Sequence, residues 1–107
     1  MMVEVIESFL RGLERPLILW LLSKKTFHGY GIIKELREHV GIEVKPGVLY
    51  PFLHQLEDAG FIVGRWIKEG GRNVKYYSLT NKGEILLNKL REFFRKALRE
   101  VIMDITQ

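Results

Sequence analysis

The chain has 107 residues, of which 47% are hydrophobic and 28% charged, and a formal net charge of +4. That length corresponds to one domain, able to bury about 65% of the surface its unfolded chain exposes. The absence of cysteine excludes disulfides, thiolate metal sites and cysteine nucleophiles.

The longest apolar run, LILWLL at 17–22, is far short of the ~20 residues that span a bilayer. The opening MMVEVIES carries acid where a secretory signal carries base. The expected location is the cytoplasm, without membrane contact. Residues 1–44 hold six Lys/Arg and six Asp/Glu, residues 45–77 hold five and three, and residues 78–107 hold six and four. The basic excess therefore lies after residue 44, a bias that favours a polyanionic partner.

The first segment places Ile6, Phe9, Leu10, Leu13, Leu17, Trp20 and Leu21 on one helical stripe. Pro16 should kink or restart it, giving two short helices or one bent helix that ends near Ser23. SKKTFHG follows as a connector. A second helix is expected from about Tyr30 to Val40, burying Ile33, Leu36 and Val40, with Gly41 beyond its C-terminus. His28, just before Gly29, is a candidate cap for it.

In the third helix, PGVLYPFLHQLEDAGF at 46–61, Leu49, Phe52, Leu53 and Leu56 share one arc and Gly60 is placed to end the helix. Its other face shows Gly47, Tyr50, Pro51, His54 and Asp58. The ring of Pro51 would meet the carbonyl of Gly47, so a bent, partly unpaired first turn is expected. FIVGRWI and VKYYSLT then flank KEGGRN, the pattern of a β-hairpin. Trp66, Tyr76 and Tyr77 suit cross-strand packing in the core or at its rim. Thr80 fits the N-cap of a last helix over about 81–104.

Helix, helix, helix, hairpin, long helix is the order of a winged helix-turn-helix: α+β, mostly helical. Residues 1–80 would form a DNA-binding unit and 81–107 a C-terminal dimerisation helix, all within one compact body. In such a fold the third helix enters the major groove and the hairpin, or wing, reaches the adjacent backbone. Gly47 permits close approach, Val48 can meet a thymine methyl, Tyr50 can donate to phosphate, and His54 and Gln55 can reach base edges. Arg65, Lys68, Arg72 and Lys75, on or beside the KEGGRN turn, can find phosphates; Lys45 is a further DNA-binding candidate and Tyr76 a minor one. The same features also describe an ordinary polar helix face, and a hairpin charged to stop edge pairing.

HGYGIIKEL (28–36), GVLYPFLHQLEDAGFI (47–62), Trp66 and KYYSLTNKG (75–83) together resemble the PadR family of winged-helix transcriptional regulators, over about residues 12–90. The resemblance implies a homodimeric repressor on a partly palindromic operator, often released by a small aromatic effector. It puts Tyr50 and Pro51 on the recognition helix, and Lys75 and Tyr76 on the return strand of the wing. The sequence departs from the family pattern at Val48, where Thr or Ser is common, and at His54-Gln55, where basic residues are usual.

The last helix is apolar on more than one stripe: Leu86, Leu90, Phe93 and Ala97 form one arc, and Leu87, Phe94, Leu98 and Val101 a neighbouring one, with Ile105 beyond. Two stripes suggest two buried surfaces, one against the chain's own first helices and one against a second copy. Leu87, Leu90, Phe94, Leu98 and Val101 are the candidate dimer contacts. Phe9, Trp20 and Phe93 could line an apolar effector space at the dimer centre, although aromatics at helical spacing also serve plain core packing. His28, His39 and His54 lack metal-ligand spacing, and no Gly-rich phosphate loop opens a helix after a strand. Neither an enzyme, a metal site nor a cofactor is expected. The rival reading is a winged-helix module that binds protein instead of DNA.

Overall fold

The computed structural model describes residues 1–104, so Ile105 of the apolar stripe lies outside the described residues. Helix α1 (Met2–Arg11) and helix α2 (Glu14–Lys24) are broken at Gly12-Leu13, not at Pro16. Pro16 stands in the first turn of α2, where a missing N–H leaves no helical bond unmade. The presumed connector contains a two-residue strand, β1 (Phe27–His28).

Helix α3 (Gly29–Glu35) runs into a π-helical turn, Leu36–Val40, which closes at left-handed Gly41. The wider turn rotates the residues that follow it. Val40, at the end of that turn, is exposed instead of buried as expected; Leu36 is buried as expected, Ile32 is buried in addition, and Ile33 lies at the core's edge. His28 occupies the N-cap position of α3 through its extended backbone, but its side chain makes no capping bond.

Helix α4 (Pro46–Asp58) continues unbroken through Pro51. The Lys45 carbonyl accepts from the amides of Val48 and Leu49 at 2.9 and 3.0 Å, so the first turn is formed. Pro51 removes the single helical bond to the carbonyl of Gly47, an exposed residue in open space. Its end is a Schellman motif: the Phe61 amide donates to Leu56 (2.9 Å) and the Gly60 amide to Glu57 (3.0 Å). Gly60 takes the left-handed conformation this requires, at φ 82°.

Strands β2 (Ile62–Glu69) and β3 (Arg72–Leu79) pair antiparallel from Ile62↔Leu79 to Glu69↔Arg72. Gly70 and Gly71, at φ 53° and 78°, supply the two positive-φ residues of a type I′ turn. β1 joins the far side of β3 through Phe27↔Tyr77, giving the order β1-β3-β2. Thr80 caps helix α5 (Asn81–Met103): its hydroxyl accepts from the Gly83 amide at 3.2 Å and donates to the Gly60 carbonyl at 2.6 Å.

The core lies between α2, α3, α4 and the sheet, with Ile18, Ile32, Leu36, Val44, Leu49, Leu53 and Ile62 fully buried. Leu87 brings the first half of α5 into it. The second half of α5 leaves that body, and every described residue from Arg95 onward is exposed. This is the expected winged helix-turn-helix with a long C-terminal helix.

Candidate nucleic-acid interface

Tyr50 and Glu57 are seven residues apart, so they share one flank of α4, the flank that meets the hairpin, with His54 beside them. Between this flank and the wing runs an open groove of about 840 Å³. From α4 it is lined by Tyr50 and His54, from the start of α3 by His28, Gly29 and Tyr30, and from the wing by Trp66, Arg72 and Asn73 among others. Gly29 has no side chain where the Tyr50 ring lies, and a Cβ there would overlap the hydroxyl end of that ring. The His28 ring packs on Tyr76 (5.2 Å between centroids) and faces Tyr30 (6.3 Å).

Of the residues singled out from sequence, Tyr50, His54, Arg72 and Lys75 line this groove. Lys45 is the exposed N-cap of α4, and Gly47 is exposed in its first turn. Val48 and Gln55 are exposed on the opposite flank of the helix, and Lys68 is exposed towards the end of β2. Tyr76 is half-buried and donates to Glu69 Oε1 at 2.7 Å; that bond raises its pKa above the usual tyrosine value.

Lys75 is not a free cation. Its ammonium donates to Glu57 Oε1 at 2.8 Å, and both side chains are about three-quarters covered, at 22% and 28% exposure. The Lys75 hydrogen bond holds the Glu57 carboxyl below its ordinary pKa, against the opposing effect of burial. The same bond raises Lys75. The exposed cations of the wing are instead Arg65, Lys68 and Arg72, none of them in an ion pair among the described residues.

Trp66 corrects the sequence reading in the other direction. It was expected at the core or its rim, yet it is 68% exposed. Beyond Gly64 the strand's residues 65–69 are all exposed, and the Lys75 ammonium lies 5.7 Å from the centre of the Trp66 ring. Tyr77, two residues from Lys75 on the same face, is buried as expected.

The family model described as "Transcriptional regulator PadR-like family" matches residues 18–89, which span α2, the helix-turn-helix, the wing and the start of α5. The chain belongs to that family. This PadR-family chain is 35% identical over 95 residues to the transcriptional regulator Rv3488 of Mycobacterium tuberculosis, covering 89% of this chain and 88% of the relative. Among solved structures, a PadR-like transcription factor from Bacteroides fragilis is 32% identical, with a TM-score of 0.75, and the match covers 95% of this chain and 98% of the other. A PadR family transcription regulator from Clostridium difficile is 30% identical, with a TM-score of 0.74 over 89% and 99% of the two chains. The family consists of transcriptional regulators, not enzymes.

The PadR-family chain carries a second surface, made by its outermost helices. Among the described residues, α1 buries none of its side chains, although Val5, Ile6 and Phe9 are apolar. On α5, Phe93 and Val101 are each 67% exposed, and Leu98 and Ile102 are exposed as well. A cleft of about 220 Å³ between α2 and α5 is walled by Leu17, Trp20, Leu90, Phe94 and Leu98, among others. Of the proposed effector residues only Trp20 reaches it; Phe9 and Phe93 lie on the exposed surface. Leu87 is 3% exposed and sits in the chain's own core, so it is corrected from dimer contact to core residue. Among the described residues no helix is long and apolar enough to cross a membrane.

Proposed function

We propose that this PadR-family regulator binds double-stranded DNA sequence-specifically, as a homodimer on a partly palindromic operator, and represses transcription there. The observation that carries the reading is the α4–wing groove, where exposed Tyr50, His54, Trp66 and Arg72 face one space. Hydrogen-bonding side chains on the helix suit base edges and phosphates, and the unpaired wing arginines and lysine suit the backbone. The homodimer is supported by the uncovered apolar side chains of α1 and α5, among them Phe9, Phe93, Val101 and Ile102. A two-fold dimer reading inverted half-sites needs its two α4 helices about 34 Å apart, one turn of DNA. Release by a small apolar or aromatic effector is supported by the Trp20 cleft beside that face.

Selection of bound fragments from a random DNA pool at roughly 150 mM salt, where nonspecific affinity is low, tests the reading. Enrichment of two inverted half-sites is the expected result. His54→Ala should then alter the preferred sequence, while Tyr50→Phe and Arg72→Ala should weaken all sequences alike. If no sequence is enriched, with or without candidate effectors, the protein-binding module takes its place; the lack of Lys and Arg on α4 beyond its N-cap favours that alternative.

A further inference from the structure

Glu57 grips both strands of the wing. Its Oε1 accepts from Lys75 Nζ on β3 at 2.8 Å, and its Oε2 accepts from the Gly64 amide on β2 at 3.2 Å. β2 is an edge strand, and the Gly64 N–H points off that edge, away from β3, to reach the carboxylate. Gly64 also lets the Lys75 stem cross the sheet, because a Cβ at 64 would overlap Lys75 Cε. The ammonium is flanked by the rings of Trp66 (5.7 Å) and Tyr77 (5.4 Å).

The grip falls where the hairpin leaves the body. Ile62, two residues before Gly64, is buried, whereas residues 65–69 are all exposed. From Gly64 to the tip at Gly70 the strand runs about 20 Å, so a small change of angle at the base displaces Arg72 by much more. We propose that Glu57 and Lys75 form a clasp that fixes the wing against α4, making both of them positioning residues for DNA recognition. The proposal rests on the DNA reading above. It differs from a direct phosphate contact by Lys75: to reach DNA the ammonium would have to abandon Glu57, leaving a partly buried carboxylate beside a polyanion.

The two roles predict opposite signs. Removing a negative charge near DNA raises affinity when nothing else changes. If Lys75 were a phosphate contact, Glu57→Gln would free it and tighten binding. If the clasp positions the wing, Glu57→Gln weakens operator binding roughly tenfold, and Lys75→Met weakens it by a similar factor, with no further loss in the double variant. Arg72→Ala should also matter less in the Glu57→Gln background, because a loosened wing no longer delivers Arg72 to the backbone; a mere loss of stability would not produce that coupling.

The test measures operator affinity of the full chain, wild type and each variant, with thermal melts to establish that every variant is folded at the assay temperature. Weakening, non-additivity and coupling to Arg72 support the clasp. Wild-type binding with equal or tighter binding by Glu57→Gln overturns the clasp and leaves the DNA reading standing. A wild type that selects no operator overturns the DNA reading, and the clasp's role in recognition with it.

Discussion

The Tyr50 ring of α4 occupies the space that a side chain on Gly29 would fill at the start of α3. The two residues therefore couple the first helix of the helix-turn-helix to the groove face of the second. A Cβ at Gly29 meets the hydroxyl end of Tyr50, an exposed and rotatable group, so the side chain can swing away at modest cost. Gly29→Ala should lower stability by no more than about 1–2 kcal/mol. Operator binding should suffer more, by about 1–3 kcal/mol, as for loss of a recognition contact. Denaturant titration and DNA affinity measured on the same preparation check it; a stability loss without a binding loss would show that Tyr50 is not oriented by this contact.

Gly83 behaves differently because its neighbour cannot move. A Cβ there would run into the Phe61 carbonyl oxygen and the Leu79 side chain, at the point where α5 crosses the end of α4 and the sheet. In an open helix, Gly→Ala gains about 1 kcal/mol. Here Gly83→Ala should instead destabilise by about 1–3 kcal/mol, since backbone must shift. Urea unfolding gives the sign directly.

The Glu57–Lys75 pair fixes a pH window for the wing's attachment. Glu57 is held below its ordinary pKa, chiefly by the Lys75 hydrogen bond, so its contribution is present above the unfolded carboxylate value and is lost as pH falls through the folded one. Lys75 is raised, chiefly by the same bond, so its contribution is present below the unfolded ammonium value and is lost as pH rises through the folded one. Stability of the wild type relative to Glu57→Gln should therefore be greatest between those limits and shrink towards either end. Unfolding midpoints of both proteins from about pH 3 to about pH 7 check the acid side; parallel curves would mean that Glu57 does not contribute.

The fold was largely legible because its signals are local. The Leu49–Phe52–Leu53–Leu56 arc, Gly60 as a helix stop, the Gly70-Gly71 turn and the Thr80 cap each depend on residues within about two helical turns of each other. What sequence could not show were relations set by tertiary geometry. Lys75 reads as a free wing cation until the fold brings Glu57, eighteen positions earlier, beside it. Trp66 reads as core because strand aromatics usually are, and its exposure depends on how far the hairpin projects. The π-helical turn rotated Val40 outward, and no composition signal marks it. His28 and Tyr30 entered the groove unannounced, although HGYG, at the opening of α3, was visible in the sequence. The groove's polar side was thus readable on α4 and hidden on α3 and β2.

The buried first half and the exposed second half of α5 separate cleanly in a mutational test. Leu87 is buried within the chain, so Leu87→Ala should cost about 2–5 kcal/mol whatever the oligomeric state. Val101 is largely exposed in the single chain, so Val101→Asp removes nothing from its core. If the exposed stripe meets a second copy, a carboxylate there must be desolvated at the interface, an unfavourable change for an unpaired charge. The variant should then sediment as a monomer at concentrations where the wild type is a dimer, with its helical content retained. Binding to a two-half-site operator should fall steeply, while the weaker binding to a single half-site should change little. A wild type that is monomeric throughout, or a Val101→Asp variant that remains dimeric, would move the interface away from this face of α5.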